Sequence, residues 1–241
     1  MHAAIVTGVS RGLGEALAAA LLARSAYVLG VGRRSSAKLA GPRYRFVECD
    51  LARPAAIAAA VLPALRELAG LQLSAVTLVN NAAVATPLGL AGQLDIAAAD
   101  ESFATNVTAP LALTDLFLRS FDASLERRVL NISSGAAQTA IAGSAVYCMS
   151  KAALEMLTKA IAADHGEPHF RCIALRPGIF ETGMQALLRA QDPETFPSAA
   201  LFRGFKDSGA LKDPEAVAVR IVERLIAGPV EHGRVYHHTE L

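Results

Sequence analysis

The stretch AAIVTGVSRGLG, residues 3–14, joins a short apolar run to a glycine-rich turn and opens a segment rich in alanine and leucine. A brief apolar run bounded by glycine reads as a buried strand, and the helix formers over 12–24 read as the helix that follows. The turn between them carries Gly8, Gly12 and Gly14 in the spacing G-x-x-x-G-x-G, which differs from the commoner G-x-G-x-x-G fingerprint. Glycine admits a tight turn and close backbone approach, and the helix beyond it offers free N–H groups and a positive dipole end to a phosphate. Taken alone, such a turn can also serve strand–helix geometry and nothing more.

The rest of the chain repeats this unit. AYVLGVG, YRFVECD, AVTLVNNA, RVLNISS and RCIALRPG read as further buried strands. Helical patterns occupy 54–69, 93–121, 144–164 and 213–227, the last opened by Asp213-Pro214 as N-cap and first-turn proline. Strand–helix alternation implies an α/β fold, a doubly wound parallel sheet with helices on both faces. No repeat, low-complexity tract or polar linker divides 1–241, so a single Rossmann-type domain is expected. The irregular segment at about 183–212, with Pro193, Pro197 and mixed aromatics, is too long for a plain connector and is the expected substrate lid.

Composition narrows the function. With 53% hydrophobic and 19% charged residues a packed core is expected. A net charge of +1 gives no global field for nucleic acid or an anionic membrane. Cys49, Cys148 and Cys172, odd in number and widely spaced, read as reduced thiols. Neither a secretory leader nor a membrane-spanning run is legible, so a cytoplasmic protein is expected. In that setting the Asn106 and Asn131 sequons and the terminal HTEL carry no meaning. The six histidines form no ligand pattern, and no metal is expected.

GSAVYCMSK, residues 143–151, places Tyr147 and Lys151 one helical turn apart, so both reach the same space. Packing of the ring with the amine directed to water is the plain alternative. Together with Asp50 in CDL, NNAA at 80–83, Asn106 in ATNVTAP, NISS at 131–134 and RPGIFET at 176–182, in this order, the chain resembles the short-chain dehydrogenase/reductase family over nearly its whole length. NNAA departs from the usual NNAG at Ala83.

The resemblance implies roles. Tyr147 is the general acid or base, its phenol pKa lowered by the Lys151 ammonium, which also meets the nicotinamide ribose. Ser134 holds the substrate oxygen, with Ser133 structural. Asn106 anchors a water of the proton relay, or caps a helix, or both. Gly8, Ser10, Arg11, Gly12, Leu13 and Gly14 line the dinucleotide. Asp50 and Leu51 meet the adenine, and Asn80 and Ala82 line the cofactor by backbone contacts. Pro177, Gly178, Phe180 and Thr182 hold the carboxamide.

At the end of the second strand Gly32 replaces the acid of NAD-dependent members, and Arg33 and Arg34 follow. Read with Arg11 they imply a 2′-phosphate site and NADP(H), although arginine pairs are often only solvated. The implied activity is carbonyl reduction of a small molecule. ETGMQALLRAQDPETF and HGRVYHHTEL resemble the sepiapterin and benzil reductase branch, and His237 in place of an acidic pterin anchor favours a 1,2-diketone. The alternative is an inactive dinucleotide sensor. The family often pairs the helices near 105–121 and 144–164, which implies a homodimer or homotetramer.

Overall fold

The computed structural model describes residues 1–241. Seven strands form one sheet: β1 (His2–Thr7), β2 (Tyr27–Gly32), β3 (Tyr44–Glu48), β4 (Ala75–Asn80), β5 (Glu126–Ile132), β6 (Phe170–Arg176) and β7 (Val235–His237). Their order is β3-β2-β1-β4-β5-β6-β7 and every pairing is parallel. The chain winds outward from β1 to β3, returns, and continues from β4 on the other side. The crevice beyond the carboxyl ends of β1 and β4 is therefore the topological switch point, where ligands bind in open sheets of this kind.

Alternation along the strands builds two cores. Ala3 and Ile5 of β1 face one cluster with Leu29, Val76, Leu78 and Val129, whereas Ala4 and Val6 face another with Val28, Val79, Leu130 and Ile173. Helices α1 (Gly12–Ala23) and α8 (Pro214–Ile221) cover the second face. The first is covered by α2 (Pro54–Ala69), α4 (Ala109–Ser120) and α5 (Ala145–Asp164). Each fully buried Leu or Ile contributes about 1.5–3 kcal/mol relative to exposure. The Asp213 carboxylate caps α8 by accepting from the N–H groups of Glu215 (3.1 Å) and Ala216 (3.3 Å), with Pro214 in the first turn.

Three features differ from the sequence expectations. The pattern over 93–121 is broken into α3 (Ile96–Phe103), a π turn (Ala104–Thr108) and α4. The segment 183–212 is more regular than its composition implies, holding α6 (Gly183–Arg189) and α7 (Ala199–Asp207). A short strand, β7, adds an edge that the apolar runs did not announce.

The glycine turn is packed to its limit: a Cβ on Gly14 would overlap the Gly8 carbonyl oxygen and the Asn81 side chain. Gly14→Ala is expected to lower stability by about 1–3 kcal/mol through overpacking. Gly166→Ala, where a Cβ meets nothing within 4 Å, should stay within about 0.5 kcal/mol. Urea midpoints of the two variants check the contrast.

Candidate active site

The switch point is tied together by Thr7. Its Oγ1 accepts from the backbone N–H groups of Asn81 and Ala82, both at 2.9 Å, while Asn81 Nδ2 donates to the Thr7 carbonyl at 2.9 Å. The turn beyond it has Gly8 at φ 73°, and a Cβ there would come within 3.0 Å of Ala82 Cα. Leu13 and Gly14 are buried, whereas Ser10 and Arg11 are exposed. No side chain caps α1, so its first-turn N–H groups lack a side-chain acceptor.

Past β2, Arg33 and Arg34 are exposed, and neither enters an ion pair. The loop they open is fastened to α1 by Glu15, which accepts from the Ser36 hydroxyl and pairs with Lys38 at 3.6 Å. Past β3, Asp50 is exposed and accepts from the Ala52 N–H at 3.1 Å, while Leu51 is buried. An uncapped helix N-terminus beside unpaired guanidinium groups suits the phosphates of a dinucleotide.

Tyr147 and Lys151 share one face of α5. Lys151 is 2% exposed, its Nζ donates to the Ile132 carbonyl at 2.8 Å, and it lies 5.6 Å from the Tyr147 ring centroid. Burial pushes the Tyr147 phenol up to about 12, with a hydrogen bond from Ser134 pulling the other way. Burial pulls Lys151 down to about 8. The family resemblance predicts a phenol lowered by the ammonium. Burial dominates instead, with the Ser134 hydrogen bond opposing it. The Ser134 hydroxyl also accepts from the Ala136 N–H at 3.2 Å.

Asn106 lies in the π turn, not at a helix start, so the capping alternative does not hold. Its carboxamide clamps the backbone of Val84, accepting from the N–H at 2.9 Å and donating to the carbonyl at 2.8 Å, and reaches Ser150 Oγ at 3.1 Å. It thereby fixes the chain beyond Ala82 to the residue before Lys151. The Asn80 side chain is buried and donates to Asn131 at 2.8 Å.

The segment after β6 closes the site. Gly178 has φ 88° and packs against the His238 ring, Phe180 is buried, and Thr182 caps α6 while its methyl lies against Gly12. Helix α6, the connection after it and α7 place Leu188, Phe196 and Phe202 in a small core with Ala85, against which Leu88, Ile141, Tyr147, Met184 and Phe205 pack. One face of the tyrosine is thus walled by apolar side chains from the 183–212 segment.

The residues singled out from sequence converge along the carboxyl edge of the sheet, with Asp50, Arg33 and Arg34 at its β2–β3 end. Sequence reasoning missed Thr7, Asn81, Glu15 and Glu155. Thr7 and Asn81 stand inside quoted motifs and were legible there, but the partners of Glu15 and Glu155 are distant in sequence.

Known proteins resemble this chain in sequence and fold. The short chain dehydrogenase family model matches residues 2–193. Benzil reductase ((S)-benzoin forming) of Bacillus subtilis (strain 168) is 30% identical over 239 residues, 98% of each chain. Sepiapterin reductase of Meriones unguiculatus is 36% identical over 210 residues, 79% of each chain. A crystal structure of a short-chain dehydrogenase/reductase from Saccharomyces cerevisiae superposes with a TM-score of 0.86 at 25% identity, covering 99% of this chain and 96% of that one. With the family model matched over most of its length and a relative 30% identical across 98% of it, the chain belongs to the short-chain dehydrogenase/reductase family of oxidoreductases.

Proposed function

We propose that the protein is an NADPH-dependent carbonyl reductase acting on an apolar ketone, with a 1,2-diketone as the favoured substrate class. The observation that carries this reading is the Tyr147 phenol held with a buried ammonium, Lys151, over its ring and an apolar wall against it. When bound, the nicotinamide supplies a hydride. Ser134 orients the carbonyl oxygen, and Tyr147, whose pKa lies far above neutrality, delivers the proton to that oxygen. Lys151 stabilises the phenolate that remains, Asn106 holds the relay segment, and Pro177, Gly178, Phe180 and Thr182 orient the carboxamide. Met184 and Phe205 exclude water. The likeness to benzil reductase supports the diketone. A dinucleotide sensor is not favoured, since it has no use for a proton donor set in this way.

NADPH preference rests on Gly8, Ser10, Arg11, Gly12 and Gly14 around the phosphates, with Arg33 and Arg34 at the 2′-phosphate. We also propose a homodimer built on α4 and α5, whose Leu111, Met149 and Met156 are 48%, 58% and 63% exposed.

Loss of NADPH absorbance with a panel of diketones and aldehydes tests the activity. Tyr147→Phe is expected to cut kcat by about 10²–10⁴ while NADPH affinity holds; wild-type turnover in that variant refutes the assignment. Because Lys151 titrates near 8 and must be charged, kcat/KM for reduction is expected to fall as pH rises through about 8. Tyr147, near 12, stays protonated throughout, and a pH profile with no limb there contradicts the role of the ammonium.

A Cβ on Gly32 meets only ordinary contacts, the nearest at 3.7 Å, so an acid fits. Gly32→Asp with Arg33→Ala should shift preference toward NADH, chiefly by raising KM for NADPH; equal wild-type efficiency with both cofactors contradicts the assignment. Met156→Glu should move the gel-filtration peak from dimer to monomer.

A further inference from the structure

The side-chain bonds joining α5 to β6 are those between Glu155 and Arg176. Arg176 donates from Nε to Glu155 Oε1 at 2.8 Å and from Nη2 to Oε2 at 2.7 Å. The Ser133 hydroxyl donates to Oε1 at 2.7 Å, and Arg176 Nη1 donates to Gln138 Oε1 at 2.7 Å. Glu155 is 7% exposed. Burial alone raises its pKa, but the bonds from Arg176 and Ser133 outweigh that and hold it below the ordinary carboxylate value, so it is charged.

The placement of these groups gives the network its meaning. Glu155 stands one helical turn beyond Lys151, itself one turn beyond Tyr147. Arg176 is the last residue of β6, directly before Pro177 and Gly178. Ser133 and Gln138 flank Ser134, and the Ser133 N–H also donates to the Leu175 carbonyl at 2.7 Å. One carboxylate therefore joins three segments: the helix of the proton donor, the strand end bearing Ser134, and the loop after β6.

We infer that Glu155 and Arg176 are positioning residues, whose bidentate pair fixes the 177–182 loop relative to Tyr147, Lys151 and Ser134. The inference rests on the reductase reading above. A buried ion pair adds little net stability over apolar replacements of similar volume. A guanidinium–carboxylate fork does fix a distance and an orientation at once. That is what hydride and proton transfer to adjacent atoms of one carbonyl require, since small misplacements cost large factors in rate. The phosphate end of the cofactor site, at residues 8–14 and 33–34, is held by other contacts and does not depend on the pair.

The test compares Glu155→Ala, Arg176→Ala and the double variant in the full chain. It reads thermal midpoint, NADPH Kd by cofactor fluorescence, and kcat. Glu155→Ala strands a guanidinium and Arg176→Ala strands a buried carboxylate, so both singles should melt lower, and the double should regain most of the loss. A positioning role keeps kcat down about tenfold or more in all three, the double included, with Kd for NADPH within about twofold of wild type. Recovery of kcat together with the melting midpoint in the double overturns the inference and leaves a purely structural pair.

Glu155→Gln, close in shape and volume, guards against a double variant that fails to fold. It should melt near wild type with kcat reduced, and full kcat there also overturns the inference. Tyr147→Phe run alongside separates the two claims. Wild-type turnover in that variant refutes the reductase reading, whereas lost turnover there with full kcat in Glu155→Gln refutes only the positioning role.

Discussion

The Thr7 hydroxyl is the hinge on which the site is built. By accepting from the N–H groups of Asn81 and Ala82, it closes the gap between β1 and β4 where their helices depart to opposite faces. Two neighbouring parallel strands whose connections diverge leave a crevice that nothing else in the sheet fills. Without a cross-link the backbone N–H groups at its lip would be left to water or buried unpaired. The glycines follow from that closure: once the lip is drawn together, Gly8 and Gly14 have no room for a Cβ.

Beneath the site a second polar line runs through the core. Asn80 Nδ2 reaches the Thr114 hydroxyl at 3.4 Å and Asn131 Oδ1 at 2.8 Å, and Asn131 Nδ2 donates to the Thr158 hydroxyl at 2.9 Å. Both threonine hydroxyls donate onward to their own helices, Thr114 to the Pro110 carbonyl and Thr158 to that of Leu154. Apolar packing fills the cores on either face but is tolerant of sliding. Directed bonds of this kind hold α4 and α5 at one height against β4 and β5. The Tyr147 hydroxyl is thereby presented at a fixed distance from the strand ends.

Most of the architecture was legible because its signals are local. Six apolar runs, the helix-opening Asp213-Pro214 and the glycine turn each declare themselves within a dozen residues. β7 did not, since three residues in HGRVYHHTEL are too few to show a period. The helices of 183–212 were hidden by Pro193, Pro197 and Gly204, residues that elsewhere end helices. The π turn at Asn106 has no sequence mark, and the observed clamp on Val84 shows why an asparagine there reads as a cap: the same carboxamide chemistry is used on a distant backbone. The phenol's pKa was misjudged because spacing gives the proximity of Lys151 but not the depth of burial, which decides the sign.

The uniform direction of the strands gives the molecule two unlike rims. All the chemistry-bearing side chains stand at the carboxyl ends. At the amino ends, Arg128 instead binds the carbonyls of Leu225, Ile226 and Gly228, and His232 accepts from the Cys172 N–H at 3.0 Å. These contacts share no partner with Tyr147. Sites with no common contacts combine additively. Substitutions at the amino rim are therefore expected to change stability with little effect on the geometry at the carboxyl ends.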